Sequence, residues 1–292
     1  MAASNDSERR LLWKPRVAAT ATDRFRAFVN SRHRANLKDY ADLHAYSVGE
    51  KTADDFWVDL FLFLEIKSDR RPTVSISAKD RRLMFPPPSF FPEVRLNIVE
   101  NMLSGRDPNA VAIHTCGEGI TNLKDITWGT LQSEVQRVAD AMISSGVRTD
   151  DRVAGILSNR LETVVACLAT ISIGALWSTT SPDMGVDGIL DRLLQIRPKL
   201  LFAEKAVFYN GKLRDLMPKN RECAKIMSKM QDFQNIILLS HDGAMREDPE
   251  IKLISWDLFL ERGVGRELHF KQLPFHHPGL IVYSSGTVQY CL

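Results

Sequence analysis

Near the carboxyl end of this 292-residue chain, the apolar run Gly279-Leu280-Ile281-Val282-Tyr283 leads into Ser284-Ser285-Gly286-Thr287. Hydroxyls and main-chain N–H groups gathered just beyond a short buried strand can surround phosphate oxygens. The small side chains let the backbone approach, and each N–H carries partial positive charge. Ser284, Ser285, Gly286 and Thr287 are therefore the candidate phosphate-binding residues. A Ser/Gly turn after a strand also occurs without any ligand, so its surroundings must carry the assignment. His276-His277 places two imidazoles side by side, but no carboxylate or cysteine stands at ligand spacing and Pro278 follows directly. The pair reads as a polar loop entering the last strand, and no metal site is expected. Cys116, Cys167, Cys223 and Cys291 are widely spaced, with no C-x-x-C pair. They read as free thiols of a reducing compartment, with Cys167 inside an apolar helical run as a core residue.

These residues need a scaffold, and the hydrophobic pattern predicts one in two parts. Residues 1–105 read as a helical segment interrupted by loops. Thr22-Asp23 can cap a helix carrying Phe25, Phe28 and Val29, and Thr52 can cap another with Phe56, Leu60, Phe63 and Leu64 at helical spacing. Pro86-Pro87-Pro88 stops regular structure, and residues 95–103 read as a short amphipathic helix through Leu96, Val99 and Leu103. From about residue 106 strands and helices alternate. Strands are predicted at Val111-Ala112-Ile113, residues 152–157, Ala175-Leu176-Trp177, Leu200-Leu201-Phe202, residues 236–239 and residues 280–283. Between them lie helices over residues 128–145 (capped by Thr127 and ended by Gly146), 161–174, 187–196 and 220–230. In the third of these, Ile189, Leu190, Leu193 and Leu194 are expected to face inward. Continuously apolar strands separated by helices imply an α/β fold, with a mainly parallel sheet covered on both faces. Ligands on such sheets sit beyond the carboxyl ends of the strands, which is where Ser284 follows Tyr283.

Several stretches carry a family resemblance. Tyr46-Ser47-Val48 precedes Asp55-Phe56-Trp57. Phe91-Pro92-Glu93-Val94-Arg95-Leu96-Asn97 is followed by Glu100-Asn101-Met102-Leu103. Most specific is the block from Ser172 through Trp177-Ser178-Thr179-Thr180-Ser181-Pro182-Asp183-Met184-Gly185-Val186, which continues through Leu190-Asp191-Arg192 to Leu200. Tyr209-Asn210-Gly211-Lys212 and Gln272-Leu273-Pro274-Phe275 add to it. Together they resemble the N-terminal portion of acetoacetyl-CoA synthetases, within the adenylate-forming acyl-CoA ligases, over nearly the whole chain up to Thr287.

The resemblance implies a helical N-terminal segment (1–105), an incomplete AMP-binding large domain (106–287) and a divergent tail (288–292). It implies ATP, Mg²⁺ and CoA as cofactors, acetoacetate as the acid and an acyl-adenylate intermediate. By the same resemblance, Ser284, Ser285, Gly286 and Thr287 would begin the loop that holds the ATP phosphates. Lys212 would contact the nucleotide part of CoA, the alternative being that residues 209–212 form only a Gly turn between a strand and a helix. The Trp177–Pro182 block is expected to be mostly structural. The family's loop continues Thr-Gly-x-Pro-Lys, whereas this chain reads Val288-Gln289 and carries no Pro-Lys pair. The expectation is a ligase fragment that is catalytically incompetent alone, with no catalytic residue assignable. The alternatives are a fragment of another short-chain (acetyl or propionyl) synthetase, or a non-enzymatic binding fragment.

A net charge of +2 is too small to argue for nucleic acid or a membrane surface as partner. The weakly polar stretch 164–177 is shorter than the roughly 18–20 apolar residues of a membrane span. Residues 1–10 are polar and lack the apolar core of a secretory signal. The expected partners are small molecules, and the expected location is the cytoplasm.

Overall fold

The computed structural model describes residues 19–76, 85, 87–239 and 247–283. The chain divides into two compact units, one drawn from residues 1–66 and 70–94, the other from 67–69 and 95–292.

The first unit contains helices α1 (Ala21–His33), α2 (Tyr40–Val48) and α3 (Ala53–Phe63). Its core is Phe25, Val29, Leu43 and Phe56. The Phe25 ring meets Phe56 edge-on at 5.2 Å and Phe63 at 5.2 Å. The cap of α1 is Thr20, not Thr22. Thr20 accepts from the Asp23 N–H while the Asp23 carboxylate accepts from the Thr20 N–H, and this reciprocal box sets the helix start. Asp59 of α3 is 1% exposed; Arg32 (2.8 Å) and His33 (2.8 Å) from α1 satisfy it.

The second unit opens with β1 (Arg95–Leu96) and α4 (Ile98–Leu103), where the sequence pattern suggests one helix. Asn97 divides them. Its Oδ1 accepts from the Val99 N–H as the cap of α4. There follow β2 (Val111–Gly117), β3 (Thr121–Thr127), α5 (Trp128–Ser144), β4 (Arg152–Ile156), α6 (Leu161–Ser172), β5 (Leu176–Thr180), α7 (Val186–Ile196) and β6 (Leu200–Glu204). Then come β7 (Ala206–Tyr209), β8 (Lys212–Asp215), α8 (Met217–Met227), β9 (Asn235–Leu239), β10 (Glu247–Asp248), β11 (Leu253–Ser255), α9 (Trp256–Leu260) and β12 (Leu273–Pro274). Three pairs stand apart from the main sheet, all antiparallel: β1–β12, β2–β3 and β7–β8.

The main sheet runs β10-β11-β9-β6-β4-β5, parallel throughout except for β10 on its edge. Every residue of β6 is buried. Alternation along it divides the core: Leu200 and Phe202 join one apolar cluster, Leu201 and Ala203 the other. On the first face lie residues of α5, α6 and α9, including Val138, Met142, Ala169 and Phe259. On the second lie residues of α7 and α8, including Ile189, Leu193, Cys223 and Met227. The expected α/β fold, a parallel-strand sheet with helices on both faces, is what forms.

Three further local expectations need correction. Leu194 is 44% exposed: at about 100° per residue it lies outside the arc shared by Ile189, Leu190 and Leu193. Helix α8 begins at Met217, earlier than expected, because Pro218 is suited to a first turn whose N–H would be unpaired anyway. Residues 280–283 do not form a full strand. A single parallel bridge joins Leu280 to Trp177, with Trp177 N–H donating to the Gly279 carbonyl (2.9 Å) and Ile281 N–H to the Trp177 carbonyl (2.9 Å).

Candidate ligand-binding cleft

The order of the main sheet locates the site. From β4 the chain passes to β5 on one side, then returns to β6 on the other and continues outward to β9 and β11. Loops leaving β4 and β6 therefore diverge, and a crevice opens beyond their carboxyl ends. A cleft of about 1060 Å³ occupies this place. Its walls are the segments following β4 (Ser158 to Glu162), β5 (Ser181 to Asp183) and β6 (Glu204, Ala206), with the β2–β3 and β7–β8 hairpins adding Cys116, Lys124, Phe208 and Tyr209.

An ionic group is built into the cleft lining. Glu204, 3% exposed, ends β6 and accepts a hydrogen bond from the Ser158 N–H. Arg160 makes a fork to Glu162 through Nε (2.7 Å) and a terminal nitrogen (2.8 Å), and its other terminal nitrogen lies 3.5 Å from Glu204. Burial disfavours the Arg160 charge, but the hydrogen bonds and charges of Glu162 and Glu204 outweigh it and raise its pKa above the ordinary arginine value. The guanidinium is thus neutralised by two carboxylates and is a structural cation of the cleft. The Glu204 carbonyl accepts from Asn220 Nδ2 at 2.8 Å, tying the end of β6 to α8.

Lys212 opens β8 on an exposed surface. The Tyr209–Lys212 segment is a turn between two antiparallel strands, not between a strand and a helix. Tyr209 pairs with Lys212 across the two-residue loop, and Asn210 (φ 50°) and Gly211 (φ 72°) both adopt the left-handed region. Asn-Gly is the dipeptide this tight hairpin loop favours. The Gly211 N–H donates to the Glu118 carboxylate (3.2 Å), which links the two hairpin tips. Lys212 and Arg214 are two residues apart on β8 and share a face. The Arg214 guanidinium stands 5.9 Å from the centre of the cleft-lining Tyr209 ring.

Ser284, Ser285, Gly286 and Thr287 lie outside the described residues, as does Cys291. The segment leading to them does not: it runs parallel to β5, with Ser178 Oγ donating to the Ile281 carbonyl (2.9 Å) and the Tyr283 hydroxyl to the Arg192 carbonyl (3.0 Å). His276-His277 lies in a loop, where His277 Nε2 meets the Gly174 carbonyl at 3.1 Å. Among the described residues, no group of three His, Cys, Asp or Glu side chains could hold a metal ion. Cys167 is half-buried against the core and Cys223 fully buried; burial pushes both thiols up to about 11. Cys116 is exposed on β2.

Sequence reasoning misses Arg160, Glu162, Asp183 and Glu204 as cleft residues, and takes Ser181, within the Trp177–Pro182 block, as mostly structural. The usable signal was position alone, since each follows a strand at its carboxyl end.

The sequence profile of AMP-binding enzymes matches residues 103–288. The acetoacetyl-CoA synthetase of Danio rerio is 37% identical over 289 residues, covering 96% of this chain and 42% of the relative. That of Rhizobium meliloti is 33% identical, covering 95% and 42%. The malonamoyl-CoA synthetase vrtB of Penicillium aethiopicum is 33% identical, covering 95% and 39%. Among solved structures, acetoacetyl-CoA synthetase from Streptomyces lividans superposes with a TM-score of 0.79 at 29% identity, covering 90% of this chain and 39% of that one. The chain thus spans about two-fifths of the length of the curated relatives it matches.

Proposed function

Because the chain belongs to the AMP-binding enzyme family, we propose that it is the N-terminal portion of an acid–thiol ligase joining acetoacetate to CoA at the expense of ATP. In the first step a carboxylate oxygen attacks the α-phosphorus of ATP, an O–P bond forms, and pyrophosphate leaves. In the second the CoA thiolate attacks the acyl carbon; the C–S bond forms, the C–O bond to phosphate breaks, and AMP leaves. The observation that carries this reading is the coincidence of the cleft at the topological switch point with continuous similarity to acetoacetyl-CoA synthetases along 96% of the chain.

In this reading the cleft receives the nucleotide part of CoA. Tyr209 offers a stacking face and Ser181 and Asp183 offer polar contacts in the cleft lining, while Lys212 and Arg214, exposed on β8 outside that lining, offer charge for phosphate. Ser284, Ser285, Gly286 and Thr287 begin the loop for the ATP phosphates. Among the described residues no cluster of three or more His, Cys, Asp or Glu side chains is arranged to hold a metal ion such as Mg²⁺. The proposed location is the cytoplasm; no described helix is long and apolar enough to cross a membrane.

A polypeptide restricted to residues 1–292 is proposed to be inactive by itself. Val288-Gln289 replaces the Thr-Gly of the family loop, removing the glycine that lets main chain approach phosphate. Loss of one preorganised donor costs about 3–4 kcal/mol in such chemistry. Acetoacetate-dependent exchange of pyrophosphate into ATP is the test. The 292-residue chain should show none above a heat-treated control. A chimaera carrying residues 1–283 in place of the matching part of the Danio rerio synthetase should show exchange with acetoacetate in preference to acetate. A well-folded chimaera without exchange would overturn the ligase reading. Preference for a different short acid would favour the second reading, for which the malonamoyl-CoA synthetase similarity speaks.

A further inference from the structure

Resting on the reading of the cleft as a CoA site, we propose that Lys219 is a positioning residue that shapes the cleft wall from outside it. Lys219 lies in the first turn of α8 and is not among the residues lining the cleft. Its ammonium donates to the carbonyls of Pro182 (2.5 Å) and Met184 (2.6 Å), both in the loop between β5 and α7. Pro182 is buried and its neighbours Ser181 and Asp183 are exposed, and all three line the cleft. The loop's own hydrogen bonds are longer: Asp183 N–H to Ser181 Oγ at 3.3 Å and Met184 N–H to the Ser181 carbonyl at 3.3 Å. Two short charge-assisted bonds therefore hold what the loop's weaker contacts do not. They turn the Pro182 and Met184 carbonyls toward α8, and the turn they fix is left presenting Ser181 and Asp183 to the cleft.

An ammonium suits this task because it carries three donors around one atom and can serve two carbonyls at once. A neutral side chain of equal length leaves both carbonyls without that partner and frees the loop. Helix α8 itself is held independently, through Cys223, Ala224 and Met227 in the core. The effect of losing Lys219 is thus local to the wall.

The test is calorimetric titration of the full 292-residue chain with CoA, for the parent, Lys219→Met and Lys219→Arg. Lys219→Met should weaken CoA binding roughly tenfold, the equivalent of one to two lost hydrogen bonds. Lys219→Arg, which keeps a charged multiple donor, should recover most of it. Amide hydrogen exchange over residues 181–185 should quicken in Lys219→Met, with β4, β6 and β9 unchanged. Equal CoA affinity in Lys219→Met and parent would overturn the proposal. So would loss of the cooperative melt in Lys219→Met, which would make the residue a folding determinant. A parent chain that does not bind CoA would sink the cleft reading itself, and the positioning role with it.

Discussion

Asn97 shows how much one side chain can organise. It is 3% exposed, caps α4 through Oδ1, and directs Nδ2 toward the carbonyls of Ile171 (3.1 Å), Ser172 (3.0 Å) and Lys271 (3.0 Å). Two of these acceptors lie at the C-terminal end of α6, where Ile171 also accepts from the Gly174 N–H (3.1 Å) and Ser172 from the Lys271 N–H (2.8 Å), and the third belongs to the segment entering β12. Two donor hydrogens are shared among three acceptors, a geometry no hydroxyl reproduces. Asn97→Ala should cost about 2 kcal/mol, by losing the cap and the amide bonds that join the start of α4 to the end of α6 and to Lys271. Chemical denaturation of the variant measures it, and a cost below about 1 kcal/mol would mean water replaces the amide. In sequence Asn97 reads as one more residue of an amphipathic helix. Its Nδ2 acceptors lie more than 70 positions away, so the sequence around it does not show what holds the break.

At the level of elements, tethers set how the pieces around the sheet meet. Asp140 of α5, 5% exposed, accepts from the Gly265 N–H (2.7 Å), the Arg266 N–H (3.1 Å) and the Arg266 guanidinium (2.5 Å), clamping the chain beyond α9 to the helix. Burial alone would raise its pKa. The hydrogen bonds from Arg266 and the neighbouring backbone outweigh burial and hold the pKa below the ordinary carboxylate value. A depressed folded-state pKa contributes stability above the unfolded value, about 3.9, and loses it as pH falls through the lower folded value. Asp140→Asn should therefore be less stable than the parent by about 2 kcal/mol at pH 7, with the difference shrinking below about pH 4. Thermal melts of both proteins from pH 7 to pH 3 check this, and a constant gap would contradict it. The elements themselves differ in legibility. The Thr127 cap and the strands β4, β5, β6 and β9 are plain in the sequence, whereas Thr52 precedes α3 without a side-chain cap bond and β10 and β11 are not marked. Hairpin β2–β3 is not, because β3 (Thr121–Thr127) is polar and largely exposed, with no alternation of apolar residues to mark it. The β7–β8 hairpin does carry a signal, Asn210-Gly211 between two short β-forming runs.

For the whole molecule, the open flank beside β5 is a liability. Leu280 (55% exposed) and Val282 (82% exposed) stand on the segment bridged to that strand, and among the described residues no other strand pairs with it. Exposed apolar side chains on an unprotected sheet margin favour association. Val282→Lys should lower light scattering of the concentrated 292-residue chain without lowering its melting temperature; unchanged scattering would place the sticky surface elsewhere. Much of the architecture follows from the sequence by itself. Continuous apolar runs such as Leu200-Leu201-Phe202 can only be satisfied by burial on both faces, and helical repeats between them supply the covering layers. Resembling blocks along the chain likewise point to the family. The cleft is another matter. Arg160 and Glu204 are 44 positions apart and meet only because β4 and β6 are adjacent in the sheet, although β5 lies between them in sequence. Strand order is a property of long-range pairing, which no window of residues encodes. It is the tertiary structure that brings the arginine before α6 and the glutamate ending β6 together as an ion pair and sets Ser181, Asp183 and Tyr209 around the same space.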